Sequence, residues 1–237
     1  MIDDSELRDL DPFDLYDAEA RRLDGFFATL DGDDWLRPSR CDGWRRREVL
    51  AHLLGSEDYN HATIDGTVPQ LMERAAAMGV TDLNSFNDWG VREHADSSVD
   101  EMLDAWRDAC AVTRYGLREL GWDGTLQTFV GPYPAGRQAL HLAQELAIHA
   151  DDVGVPVADG ERRLRGDWQV RFARFTLREN ERPVTVEEDE ATGLLKISAN
   201  GVEFVIDDEG LVDACSARLP EDAGMPAELR ELLRVFA

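Results

Sequence analysis

Arg137-Gln138-Ala139-Leu140-His141-Leu142-Ala143-Gln144-Glu145-Leu146-Ala147-Ile148-His149-Ala150-Asp151-Asp152 is the stretch on which the fold turns. It is rich in Ala and Leu, and neither Gly nor Pro interrupts it until Gly154 and Pro156, so it reads as one helix. His141, Glu145 and His149 stand at i, i+4 and i+8; at ~100° per residue they drift about 40° per step and share one stripe. Leu142, Leu146 and Val153 occupy the neighbouring arc, which puts the polar stripe at the margin of a buried face rather than on open water.

A helix with that pattern needs partners, and the preceding chain supplies them. Asp11-Pro12 opens a helix that runs to about Leu30, with Leu15, Ala18, Leu23, Phe26 and Phe27 at helical spacing. A second runs from about Trp44 to Ile64. Its apolar arc is Val49, Leu50, Leu53 and Leu54, with His52 on the flank in line with Ser56, Tyr59 and Thr63, while His61 points about half a turn away from His52. Shorter helices are expected over 68–78 and 81–93, and Ser98-Val99-Asp100-Glu101 is a capping box that starts a long helix ending at Gly121. Gly131-Pro132-Tyr133-Pro134-Ala135-Gly136 reads as a flexible loop before the helix quoted above. Four main helices with short to moderate connections make a bundle, a standard setting for a metal site.

Past Asp159 the pattern changes. A helix over 168–178 precedes alternating strands at 184–188, 194–199 and 202–206, the last two joined by Asn200-Gly201, and a closing helix is expected over 226–236. The acidic groups 187–190 and 207–209 read as solvated hairpin ends. The expectation is a mainly α protein: a helical bundle over residues 1–158, then a small α+β domain over 159–237.

Composition narrows the function. With 25 Lys+Arg against 49 Asp+Glu the net charge is -24, which repels nucleic acid and anionic membrane surfaces. A carboxylate substrate would need a local island of Arg. No basic and apolar leader opens the chain and no apolar run approaches ~18 residues, so a cytoplasmic protein is expected, a monomer or a small homo-oligomer. Cys41, Cys110 and Cys215 are odd in number and lack a Cys-x-x-Cys pair, and they read as reduced thiols with no metal role.

Glu-x-x-x-His on one helix, joined by a His from an antiparallel neighbour, offers two imidazoles and a carboxylate: a tetrahedral zinc set with one open position. The same spacing also describes an ordinary i,i+4 pair with a hydrogen-bonded His, and spacing alone leaves both readings open.

At these residues the chain resembles the mycothiol-dependent maleylpyruvate isomerase family of the DinB-like four-helix bundle superfamily. Cys41-Asp42-Gly43-Trp44 with Val49-Leu50-Ala51-His52-Leu53 is similar to its Cys-Pro-Gly-Trp…Val-Leu-Ala-His-Leu signature, Asp42 replacing the usual Pro. Gly131-Pro132-Tyr133-Pro134-Ala135 and Glu145-Leu146-Ala147-Ile148-His149-Ala150-Asp151-Asp152 are similar to its second signature. The resemblance covers roughly residues 10 to 155. It implies His52, Glu145 and His149 as ligands of Zn2+, and mycothiol or a similar low-molecular-weight thiol as cosubstrate, attacking a small-molecule electrophile in a transferase or isomerase reaction. It also implies that an Arg near the end of the C-terminal domain helps hold an anionic substrate; Arg218 is the nearest candidate, although its neighbours do not follow the family's apolar run. His141 is then placed to orient a ligand or relay a proton, and Tyr59 and Arg137 are candidate pocket residues. Two other readings fit the residues: a hydrolase using a metal-bound water, for which Glu57 and Asp58 are close in sequence to His52 although neither shares its stripe, and a non-catalytic metal-binding bundle.

Overall fold

The computed structural model describes residues 2–189 and 191–236. The chain divides into two compact units. One is Asp11–Pro156; the other is the chain from Val157 together with the residues before Asp11.

In the first unit, α1 (Pro12–Phe27), α2 (Arg46–Asp65), α5 (Val99–Leu120) and α6 (Ala135–Val153) form the bundle, with the shorter α3 (Val68–Ala77) and α4 (Leu83–Glu93) between α2 and α5. Local chemistry sets the ends. The Asp11 side chain accepts from the backbone N–H groups of Phe13 and Asp14, with Pro12 in the first turn; α1 then stops at Phe27, three residues before the expected end. Ser98 and Glu101 close the expected capping box on α5. Gly154, at φ 83°, ends α6 in the left-handed conformation that glycine adopts without steric penalty.

Packing follows residue size. Ala135, Ala139, Ala143, Ala147 and Ala150 of α6 are fully or almost fully buried, and this small-residue face permits the extensive contact of α6 with α1, whose Tyr16, Leu23 and Phe27 are buried. Trp106 of α5 meets Phe27 edge to face, with ring centroids 5.9 Å apart. Where α2 crosses α4, a Cβ on Gly55 would stand 2.8 Å from the Gly90 Cα, so the crossing depends on the missing side chain.

Residues 131–134, expected as part of a loop, are instead a strand. β1 (Thr125–Thr128) and β2 (Gly131–Pro134) pair antiparallel around a two-residue turn, Phe129-Val130. Pro132 and Pro134 hide this hairpin in the sequence because proline signals a break, yet in a two-stranded ribbon an unpaired edge can take it. α6 consequently starts at Ala135, directly on the end of β2.

In the second unit, α7 (Asp159–Glu179) begins well before the expected Trp168. β3 (Thr185–Asp189), β4 (Leu194–Ala199) and β5 (Val202–Ile206) form an antiparallel sheet in sequence order. Asn200 and Gly201, both at positive φ, make the expected two-residue turn between Ala199 and Val202. The 207–209 group is not a hairpin end: Asp207 accepts from the Gly210 N–H and caps α8 (Asp208–Cys215). Glu187 and Glu188 lie within β3, and Glu190 lies outside the described residues. The closing helix, α9, is shorter than expected, at Ala227–Leu233. Leu195 and Ile197 of the sheet pack with Leu211 and Cys215 of α8, Leu229 and Leu233 of α9, and Ala173 and Leu177 of α7. Arg171 donates to the Glu6 carbonyl, tying the N-terminal residues to α7.

Candidate metal centre

Three side chains converge where α2 meets α6. α2 starts at Arg46, and its first turn is held by Glu48, whose carboxylate accepts the Arg45 N–H at 2.9 Å. Two turns in, His52 is buried with its ring 5.1 Å from the Trp44 indole. From α6, Glu145 and His149 face it one helical turn apart. His52 Nε2 lies 2.9 Å from Glu145 Oε1, and His149 Nε2 lies 3.3 Å from the same oxygen. The two imidazole rings meet edge to face at 4.8 Å.

Burial decides how these groups carry charge. Desolvation by the surrounding protein would by itself raise the partly exposed Glu145 carboxyl, but hydrogen bonds and charge from His149 and then His52 hold it well below the usual carboxylate range. Burial works against the His149 imidazolium, yet Asp152, Cys41 and Glu145 together raise it well above an ordinary histidine. For His52 burial prevails and lowers it, only partly offset by Glu145. The cluster is thus an anion flanked by two imidazoles, one of which readily sheds its proton.

These residues fit a divalent ion. A tetrahedral zinc with ligand distances of ~2.0–2.2 Å sets its ligand atoms about 3.3–3.5 Å apart. One atom from each of His52, Glu145 and His149 lies within 4.8 Å of the others, and two of the separations are 2.9 and 3.3 Å. The Glu145 side chain remains 36% exposed, which leaves an open side for a fourth ligand.

A family model, the mycothiol maleylpyruvate isomerase N-terminal domain, matches residues 16–154. This chain belongs to that family. The match spans α1 to α6 and the candidate centre within them, so the chain is a member of an enzyme family. Among solved structures, crystal structures of a mycothiol-dependent maleylpyruvate isomerase and of a histidine-to-alanine mutant of it share the fold. Their TM-scores are 0.60 and their identities 18% and 17%, covering 87% of this chain and 88% of theirs in each case. The fold is accordingly DinB-like. No curated protein sequence matches.

The other residues singled out in this member of the maleylpyruvate isomerase family fall into separate places. His141, one turn before Glu145, sits 3.1 Å from the Tyr133 hydroxyl of β2. Tyr59, two turns after His52, packs on Phe86 of α4 and on Phe129 at the hairpin tip, whose N–H approaches the Tyr59 hydroxyl at 3.5 Å. The hairpin that the sequence concealed therefore touches residues on the stripes of both His52 and Glu145. Arg137 is buried in the first turn of α6, not on a solvated face. Arg218 lies in the second unit just after α8, where it donates to the Ser216 carbonyl at 3.0 Å. His61 is turned to α5, its Nε2 3.0 Å from the Ala109 carbonyl, in keeping with the half-turn offset from His52.

Glu57 and Asp58 are turned away. Glu57 is buried and accepts from Thr113 of α5 at 2.5 Å and from Asn60 at 3.1 Å, and Asp58 pairs with Arg74. Neither is placed as a base for a metal-bound water. Cys41, read from the sequence as a thiol without a metal role, stands beside the centre: its Sγ is 3.0 Å from Asp152 Oδ2 and 3.7 Å from His149 Nδ1. Its place at the head of the first signature was the available signal. Cys110 and Cys215 are buried thiols, each pushed up to about 12 by burial.

Proposed function

We propose that this protein is a zinc-dependent enzyme in which a low-molecular-weight thiol of the mycothiol type attacks a small electrophile, as an isomerase or an S-transferase. The observation that carries the reading is the convergence of His52, Glu145 and His149 with one side open, inside the part of the chain that matches the family model. His52, Glu145 and His149 would hold the ion, which when bound supplies Lewis acidity and so favours the thiolate form of the cosubstrate.

The residues of the chain do the rest. Asp152 and Glu145 hold the His149 ring from its two nitrogens, and Trp44 backs His52, so the ligand set is pre-organised. In the isomerase branch the thiol sulfur adds to a cis double bond conjugated to a carbonyl, and the π electrons move to the carbonyl oxygen. Rotation about the resulting single bond and elimination of the thiol return the trans product. In the transferase branch the adduct leaves. His141, held by the Tyr133 hydroxyl, is the candidate to donate to the oxygen that gains charge. Tyr59, packed on Phe86 and Phe129, is the candidate substrate-binding residue of α2.

An anionic electrophile approaches a chain of net charge -24, so a local cation is needed. Arg137, in the first turn of α6 and in the same unit as the centre, is the candidate, and raised KM with kcat retained in Arg137→Ala would identify it as binding substrate. The reading is tested by the thermal stability of zinc-loaded protein with and without mycothiol. A concentration-dependent rise, about 2.7 kcal/mol at a hundredfold excess over Kd, is expected. No rise with mycothiol would remove the thiol from the account; with a rise, maleylpyruvate is the first electrophile to assay.

A further inference from the structure

Two groups of donor atoms share His149. His52 and Glu145 lie on the Nε2 side of its ring, and Cys41 and Asp152 on the Nδ1 side, all within reach of a metal ion. One imidazole ordinarily gives one nitrogen to a cation, so the groups compete and the surrounding chemistry must choose between them.

The Asp152 carboxylate is fully buried. Its Oδ2 lies 3.0 Å from His149 Nδ1 and also 3.0 Å from Cys41 Sγ, and the Asp152 carbonyl accepts the Arg40 N–H at 3.0 Å. Three residues after His149 on α6, Asp152 is thus tied to the loop that carries Cys41 and leads into α2. An ionised carboxylate is an acceptor only, so its neighbours must donate: the thiol gives its S–H and His149 gives its Nδ1–H. In the neutral ring that a metal requires, this fixes the tautomer and leaves the Nε2 lone pair directed to the side of His52 and Glu145. With Oδ2 engaged by both donors and its side chain sealed from solvent, the Nδ1 side offers no open position for substrate. The Nε2 side has one, beside the partly exposed Glu145.

We propose that Asp152 is a positioning residue that selects the Nε2 side of His149 for the metal, and that Cys41 is a hydrogen-bond donor to Asp152 rather than a ligand. This inference rests on the metal reading of the centre. α6 then carries the ligand pair Glu145 and His149 and their support, Asp152, within two turns.

The test uses full-length protein and measures zinc affinity by competition with a chromogenic chelator, with far-UV circular dichroism as the check on folding. Asp152→Asn keeps the volume and removes the charge; Asp152→Ala removes the acceptor. Affinity is expected to fall roughly 10-fold in the first and towards 100-fold in the second, the range usual for loss of such a supporting carboxylate. Zinc affinity within twofold of wild type in folded Asp152→Asn would overturn the positioning role, whether or not the Ala variant folds. Substitution of Co2+ tests the choice of side: a protein without the near-ultraviolet sulfur-to-cobalt charge-transfer band, unchanged by Cys41→Ala, is expected. A strong band that Cys41→Ala abolishes would make Cys41 a ligand and overturn the assignment. Wild-type protein that binds neither ion would instead defeat the metal reading itself, a result distinct from either of these.

Discussion

At the level of single residues, helical spacing fixes the direction of a side chain, whereas a contact made through a loop is set by tertiary structure. Counting at ~100° per residue put Glu145 and His149 on one stripe and turned His61 away from His52, and both hold. No spacing rule connects Cys41 to Asp152, 111 positions apart, because the loop before α2 brings them together. Glu57 shows the converse. Glu57 is close to His52 in sequence but off its stripe, and it faces Thr113 and Cys110 of α5, Asn60 and His61 of its own helix, and Tyr16 of α1. Burial raises its carboxyl above the ordinary range, against the hydrogen bonds from Thr113 and Asn60. A carboxyl raised in the folded chain holds its proton there at a pH where the unfolded chain has lost it. Its favourable contribution is therefore complete below the unfolded value, near ~4.3, and is lost as pH rises through the folded value. Glu57→Gln should flatten that decline and raise stability at neutral pH relative to wild type. Urea midpoints for both proteins from pH 4.5 to 8 check this; a difference independent of pH would contradict the assignment.

Helices with clear caps and periodicity were legible as elements. The bounds of α2, α3, α4 and α5 fall within about two residues of those expected, since Ser98-Glu101, Pro69 and the glycines after the helices act locally. The β1–β2 hairpin was not legible, because its turn is Phe129-Val130 and its second strand carries two prolines; tertiary contacts with Tyr59 and His141 support it instead. The α2/α4 crossing gives a prediction of opposite signs. A methyl on Gly55 meets backbone at 2.8 Å, whereas one on Gly90 meets it at an ordinary 3.4 Å. Overpacking of this kind costs about 1–3 kcal/mol, so Gly55→Ala should lower Tm by several degrees. Gly90→Ala should leave Tm unchanged or raise it by the ~1 kcal/mol helix preference of Ala over Gly. Equal effects in the two variants, read by differential scanning calorimetry, would show that the close approach is not what limits the crossing.

For the molecule as a whole, the chain divides into two compact units, the second made of the residues from Val157 together with those before Asp11. The membership of the first ten residues in that unit had no signal, because a few contacts such as Arg171 to the Glu6 carbonyl decide it. Among the described residues, no helix is long and apolar enough to cross a membrane. The excess of 24 negative charges is spread over a surface whose ion pairs, such as Arg118 with Asp14 and Asp17, are exposed and individually weak. Self-repulsion then opposes compaction, and raising monovalent salt from about 0.01 to 0.15 M, which shortens the screening length from ~30 to ~8 Å, should raise Tm. A fall in Tm would mean that the surface pairs outweigh the repulsion.

The centre itself is tested most directly by the metal content of the full-length protein beside that of His149→Ala and His61→Ala, each purified identically and given zinc before desalting. About one zinc per chain is expected in wild type and in His61→Ala, and essentially none in His149→Ala. Wild type that stays free of zinc, or equal retention in both variants, would reduce His52, Glu145 and His149 to a hydrogen-bonded packing cluster.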